Sequence, residues 1–277
     1  MGDLSPAPVT RRLLLLILLT APGARAQHLV IVGGGARPAS VVAEIVALGG
    51  GAAGRLVVVP QASGVAAEVG PAQAAEFTAS GIPAVVALGA PDADSTVALF
   101  DRATAVFFSG GDQNRLVAAL VGTRTLAAVR AVLARGGVVA GTSAGAAVMS
   151  AVMITGEERP PADPEAPFST VEPGTVVTAE GFGFVTWAVV DQHFAARRRQ
   201  NRLLSLVLER PDLVGIGVDE ATAIVVGPDG HVRVVGDGSV QVFDARGVSV
   251  ETRGRGFSAR GVRLHVLAHG DRFAPGE

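Results

Sequence analysis

The chain has 277 residues, 49% apolar and 17% charged, with a net charge of −2. It can bury a large core, which excludes a disordered or low-complexity protein, and it carries no basic aromatic stripe to support nucleic-acid binding. Cysteine and tyrosine are absent and all 23 basic residues are arginine, so disulfides, zinc–thiolate sites, cysteine nucleophiles, Schiff-base lysines and phosphate-loop lysines are excluded.

Residues 1–26 read as a signal peptide. Arg11 and Arg12 precede the apolar run 13–19, and Ala24-Arg25-Ala26 supplies a small-x-small cleavage pattern. The run is far shorter than the ~20 apolar residues of a membrane span. Cleavage after Ala26 predicts a secreted or periplasmic protein with no stable membrane span. It also removes Asp3, Arg11, Arg12 and Arg25, so the mature chain becomes more acidic. Thr10-Arg11-Arg12 fits twin-arginine export, whereas the unbroken leucine run fits the general secretory route.

Residues 27–277 read as one α/β domain. The runs 29–32, 56–59, 84–88, 105–108 and 138–140 are continuously apolar, the pattern of buried parallel strands. Stretches 40–48, 65–80, 96–101, 114–120 and 125–135 between them carry helical spacing. Such alternation predicts a mostly parallel sheet with helices on both faces. Further on, 224–226, 231–235, 240–243 and 262–267 are strands separated by Gly-rich turns. They predict a β-rich, antiparallel extension over about 221–277. Residues 156–174 hold five prolines and five acidic residues and read as an exposed loop.

Gly141-Thr142-Ser143-Ala144-Gly145 lies between the strand 138–140 and the helical stretch 146–151. A G-x-S-x-G pattern in strand–turn–helix context is a nucleophile elbow, with Ser143 projecting at the carboxyl end of the sheet. The Ala144 N–H, at a helix start, would face a developing oxyanion. The bland alternative is a Gly-rich turn that holds an anion at a helix end. A second turn, Ser109-Gly110-Gly111-Asp112-Gln113, ends the fourth strand, and its N–H groups at Gly111 and Asp112 could complete the oxyanion hole. Asp112 also reads as a helix N-cap. An oxyanion donor contributes ~3 kcal/mol to the barrier, so Gly111 substitutions are expected to slow turnover and leave the fold intact.

A serine nucleophile needs a base. His193 is the best of five histidines because it follows the apolar run 187–190 in Asp191-Gln192-His193-Phe194. Open α/β sheets place their sites at such strand ends. His28, His231, His265 and His269 read as hydrogen-bonded core or surface residues. Asp219, Glu220 and Asp191 are all candidates for the acid that orients the base. Arg197, Arg198, Arg199 and Arg202 gather near the start of a helix ending about Glu209. There positive charge opposes the helix dipole, which points to carboxylate recognition, with Arg198 assigned to solvent.

These motifs resemble the cyanophycinases, in the serine peptidase family that also contains aspartyl dipeptidase (peptidase E). The matching residues are Phe108-Ser109-Gly110-Gly111-Asp112-Gln113, Gly141 to Ala146, Asp191-Gln192-His193-Phe194 with its arginines, and Gly215 to Ala223. The resemblance implies a three-layer, flavodoxin-like sandwich similar to class I glutamine amidotransferases. It implies hydrolysis of cyanophycin, a poly-aspartate bearing arginine on its β-carboxyls, to β-aspartyl-arginine. It assigns Ser143 as nucleophile, His193 as base and Glu220 as orienting acid, and places Gln113, Asp191, Gln192, Arg197, Arg199 and Arg202 in the substrate pocket. It also implies a homodimer, and the mechanism needs neither metal nor organic cofactor. Two other readings fit the same residues: an exported aspartyl dipeptidase, and a non-catalytic binder of acidic peptides. The expected export and the acidic, Pro-rich loop 156–174 depart from the family pattern.

Overall fold

The computed structural model describes residues 27–159 and 166–275. The predicted signal peptide, and the middle of the predicted 156–174 loop, lie outside the described residues. In chain order the elements are β1 His28–Val32, α1 Ala39–Leu48, β2 Leu56–Val59, α2 Ala66–Ala79, β3 Ala84–Val86, α3 Asp94–Val97, β4 Ala105–Phe108, α4 Gln113–Leu120, α5 Arg124–Ala134, β5 Val138–Thr142 and α6 Ala144–Ala147. The second half comprises β6 Val152–Glu158, β7 Val176–Glu180, β8 Ala188–Gln192, α7 Gln200–Glu209, β9 Val214–Val218, β10 Thr222–Val226, β11 Val232–Gly236, β12 Val240–Asp244, β13 Val250–Arg253, β14 Gly256–Ala259, β15 Arg263–Leu267 and β16 Arg272–Phe273.

The main sheet has eight strands in the order β16-β11-β10-β1-β5-β4-β2-β3. Pairing from β1 through β5, β4 and β2 to β3 is parallel, and β10, β11 and β16 continue antiparallel from β1. β2, β4 and β5 are buried along their whole length, as expected of strands covered on both faces. Val30, Val58 and Phe107 join α1 and α2 in one core layer. Ile31, Val57 and Phe108 join α4, α5 and α6 in the other.

The β-rich extension divides among three sheets, one of them the two-stranded β13–β14 hairpin. β10, β11 and β16 widen the main sheet, while β12 and β15 join β9 and β8 in a separate four-stranded sheet ordered β15-β12-β9-β8. Val214, Ile216, Val240 and Val242 pack this sheet onto the same core as Ile31 and Phe108. Its other face carries α7. β9 reads Val-Gly-Ile-Gly-Val, and a Cβ on Gly217 would lie 2.3 Å from the Phe194 ring. The glycines thus let α7 and Phe194 approach the strand's backbone.

Several predicted boundaries move. The strand expected at 138–140 runs on to Thr142, and the helix after it is the short α6 rather than 146–151. The helix expected at 96–101 is α3 followed by a tighter turn over Ala98–Phe100. Within 156–174, residues 156–158 belong to β6, which pairs with β7 as a hairpin. Among the described residues no single helix is long and apolar enough to cross a membrane.

Candidate active site

Ser143 follows β5 with φ 54° and ψ −112°, a conformation that costs a non-glycine residue about 1–3 kcal/mol and persists only where neighbours enforce it. Here its N–H is donated to the Val32 carbonyl at 3.0 Å, and the Ala147 N–H is donated to the Ser143 carbonyl at 3.0 Å. The side chain is thereby held clear of the sheet, and Ser143 Oγ lies 2.8 Å from His193 Nε2.

His193 follows β8 and also has positive φ, 48°; its N–H is donated to the Gly33 carbonyl at 2.7 Å. Glu220 Oε1 accepts from His193 Nδ1 at 2.5 Å. Because Nδ1–H is spent on the carboxylate, Nε2 is left as the acceptor for the Ser143 hydroxyl. Ala221, next along the chain, has φ 54° and donates its N–H to the Gly34 carbonyl at 3.0 Å. The three groups thus form one directed relay, from hydroxyl to imidazole to carboxylate.

The other acids are occupied. Asp219 accepts from the Ala196 N–H at 2.9 Å. Asp191 is 1% exposed, and its Oδ2 accepts from Arg202 Nε at 2.7 Å while Oδ1 accepts from Arg202 Nη2 and the Gln192 N–H. Of the three candidate partners for His193, Glu220 is the one that reaches it. Three other histidines have different surroundings: His231 lies 3.0 Å from Asp229, His269 accepts from the Gly236 N–H, and His265 packs edge-on against Phe273.

Several predicted contacts need correction. Asp112 caps α4, its Oδ1 accepting from the N–H groups of Asn114 and Arg115. Its own N–H is donated to the Ala62 carbonyl at 2.9 Å, which removes it from the oxyanion set. Ala144 and Gly111 remain, the first with an N–H that has no acceptor within its own helix. Gly111 has φ 140°, and a Cβ there would lie 2.2 Å from the Ala62 carbonyl oxygen. Substitution at Gly111 would therefore disturb the turn itself, contrary to the expectation of an intact fold.

The predicted substrate pocket also divides. Asp191 and Arg202 are mutually satisfied and buried, so they build the site's wall rather than offer free groups. Gln113 spends its amide N–H groups on the Thr155 and Ile154 carbonyls at 2.6 and 3.2 Å, tying α4 to the β6–β7 hairpin. Arg199 donates to the Gln192 carbonyl at 2.6 Å, and burial, reinforced by Arg202, lowers its pKa to about 10. Gln192 keeps a buried Oε1 with no hydrogen-bond partner, and Arg197 is exposed. These last two retain capacity to meet a ligand.

His193 is held below its ordinary pKa. Burial is the largest cause, opposed by the Glu220 hydrogen bond, and Arg197 adds a further downward push. A neutral imidazole is the form that accepts a proton, so the acid limb of any activity dependent on it falls below pH ~6.5. Arg197→Gln removes one downward contribution. The midpoint of that limb in a kcat/KM pH profile is expected to move to higher pH, and an unmoved or lowered midpoint would contradict this electrostatic role.

Two contributors escaped sequence reasoning. The Gly33-Gly34-Gly35 loop after β1 supplies carbonyls to His193 and Ala221, and a Cβ on Gly34 would fall 2.3 Å from His193 Cε1. Three glycines after a first strand were a readable signal of close approach. Phe168 covers the Arg202 guanidinium at 5.4 Å, and nothing in the local sequence marked it.

The profile of peptidase family S51 matches residues 29–234, and the chain belongs to that family. A cyanophycinase from Geminocystis herdmanii is 37% identical over 179 residues, which is 62% of this chain and 63% of that protein. One from Trichormus variabilis is 38% identical over 183 residues, 64% of this chain and 58% of that protein. The chain thus spans less than two thirds of the length of either relative. The crystal structure of a peptidase from an acI-B1 actinobacterium superposes with a TM-score of 0.65 at 23% identity, covering 91% of this chain and 98% of that one. That likeness supports the α/β sandwich.

Proposed function

We propose that this chain is an exported serine peptidase that hydrolyses cyanophycin to β-aspartyl-arginine through an acyl-enzyme. The observation that carries the proposal is the relay in which Ser143 Oγ lies 2.8 Å from His193 Nε2 and His193 Nδ1 lies 2.5 Å from Glu220 Oε1. The substrate is inferred from the cyanophycinase relatives, and export from the Arg11-Arg12 leader.

His193 takes the Ser143 proton as Oγ attacks the aspartyl carbonyl, and Glu220 stabilises the imidazolium that forms. Negative charge on the carbonyl oxygen is met by N–H donors of Ala144 and the Gly111 turn. His193 then gives its proton to the leaving amine. Water, deprotonated by the same imidazole, releases the acyl group and restores Ser143. Arg197 would pair with a substrate carboxylate, and a substrate N–H would satisfy Gln192 Oε1, whose lack of a partner costs about 1–3 kcal/mol.

The deciding experiment is clearing of an insoluble cyanophycin suspension by protein lacking residues 1–26, with Ser143→Ala alongside and mass spectrometry of the soluble product. Clearing with β-aspartyl-arginine release, lost in the variant by at least about 10⁴-fold, is the expected result. A folded protein whose Ser143 reacts with a serine-directed probe but leaves the polymer intact would overturn the substrate and point to an aspartyl dipeptidase. Absence of probe labelling would point to a non-catalytic binder.

A further inference from the structure

Outside the triad, the strongest concentration of unabsorbed charge is the β13–β14 hairpin, which lies beyond residue 234, where the family match ends. Five arginines fall between residues 246 and 263. Arg246 and Arg263 both bind the buried Asp244, and Arg255 pairs with Glu172. Arg253 and Arg260 remain, together with Glu251.

The strand period places these groups. Residues 249, 251 and 253 share one face of β13 and its approach, and Glu251 is paired across the hairpin with Ser258, so 258 and 260 share that face too. Val250, Phe257 and Ala259 alternate to the other side and pack against the core beneath α7. The hairpin is therefore fixed by an apolar underside and presents a polar upper face. On that face Ser249, Glu251, Arg253, Ser258 and Arg260 line a cleft of about 240 Å³. The Arg253–Glu251 pair is 71% and 58% exposed. Exposed pairs contribute only about 0–1 kcal/mol, so both partners can exchange each other for a ligand at little cost.

We infer that this cleft is a second, non-catalytic docking site for the zwitterionic polymer that is the substrate in the proposed function, a reading on which this inference rests. When arginine is joined to each β-carboxyl of poly-aspartate, every repeat keeps arginine's own carboxylate and its guanidinium. The cleft offers two cations around one anion and two hydroxyls, the complement of that repeat. Arg253 and Arg260 take carboxylates with paired N–H donors, Glu251 takes a guanidinium, and the serines meet backbone amides. For an insoluble polymer, a second contact raises the effective concentration of chain near the triad without changing the chemistry there.

Cosedimentation with a cyanophycin suspension tests this, using Ser143→Ala protein so that binding is read without cleavage. Adding Arg253→Gln and Arg260→Gln together is expected to weaken cosedimentation about tenfold or more, and Glu251→Gln alone to weaken it less. Raising salt from about 0.1 to 1 M should mimic the double variant, because screening shortens from about 10 to 3 Å. On the active chain, the same double variant should cleave a short soluble β-aspartyl-arginine oligomer at the unaltered rate. Equal cosedimentation of parent and double variant, or none by the parent, would overturn the docking site. An equal loss on polymer and oligomer would also overturn it, because the hairpin would then be acting on the triad. Failure of the unaltered chain to cleave the oligomer would count against the proposed hydrolysis, while cosedimentation would still decide the docking site.

Discussion

Glu220→Gln is expected to lower kcat by about 10³- to 10⁴-fold with little change in KM. Glu220 Oε1 accepts from His193 Nδ1 at 2.5 Å, and this bond selects the tautomer whose Nε2 faces Ser143. A glutamine turned to donate its amide N–H to Nδ1 would place the imidazole proton on Nε2, where it points at the hydroxyl and cannot receive a proton from it. The imidazolium that forms during attack would also lose its counter-charge. The Glu220 side chain is 41% exposed, so water can replace part of the interaction, and the lower end of the range allows for that. Asp219→Asn is the matched control, because Asp219 holds the Ala196 N–H rather than the imidazole. Steady-state kinetics on both variants, with circular dichroism to check folding, would decide the matter. A Glu220→Gln rate within tenfold of the unaltered chain would remove Glu220 from the relay.

The second large effect is on stability rather than rate. Asp191 and Arg202 are 1% and 3% exposed and joined by two parallel contacts, beneath the ring of Phe168. Removing one partner of a buried pair strands the other charge at a cost of about 3–5 kcal/mol. For a domain of this size that lowers Tm by roughly 10 °C or more. Asp191→Asn should show this loss in calorimetry, and Arg202→Met a comparable one. Replacing both together with apolar residues of similar volume should restore most of it, since such swaps are often neutral. If the double replacement were as unstable as the worse single one, the value of the pair would lie instead in Asp191's hydrogen bond from the Gln192 N–H and its 3.7 Å ion pair with Arg199. A Tm unchanged in Asp191→Asn would contradict the burial argument.

Much of this molecule was legible because its buried strands are chemically simple. The runs around Val30, Val58, Phe107 and Val139 are apolar throughout, and helices alternate with them, so a parallel sheet followed directly. Ser143 and His193 were legible because each stands at the end of such a run. The choice among Asp191, Asp219 and Glu220 was not, because it depends on where β9 delivers its last turn relative to β8. Family resemblance favoured Glu220, and of the three carboxylates it is the one within hydrogen-bond distance of His193. The predicted pocket was read too generously for a physical reason. A sequence lists Asp191 and Arg202 as two polar groups near a site, but their spacing across two elements hides that each satisfies the other. The Asp112 N–H was misread likewise, since its acceptor, the Ala62 carbonyl, comes from a loop after another strand. Backbone strain at Ser143, His193 and Ala221 is a product of assembled packing and leaves no local mark.

Ser143 hangs from β5 of the eight-stranded sheet, whereas His193 and Glu220 hang from the ends of β8 and β9 in the four-stranded one. Fifty residues separate hydroxyl from imidazole, and twenty-seven more separate imidazole from carboxylate. On the proposed mechanism, a partly folded chain would therefore own all three residues and yet have no nucleophile, because an isolated serine hydroxyl is inert at neutral pH. Its reactivity would then switch on only when the two sheets meet across the Gly33-Gly34-Gly35 loop. The fold would in that sense be its own safety catch, keeping the proposed nucleophile dormant during synthesis and while other unfolded chains are near.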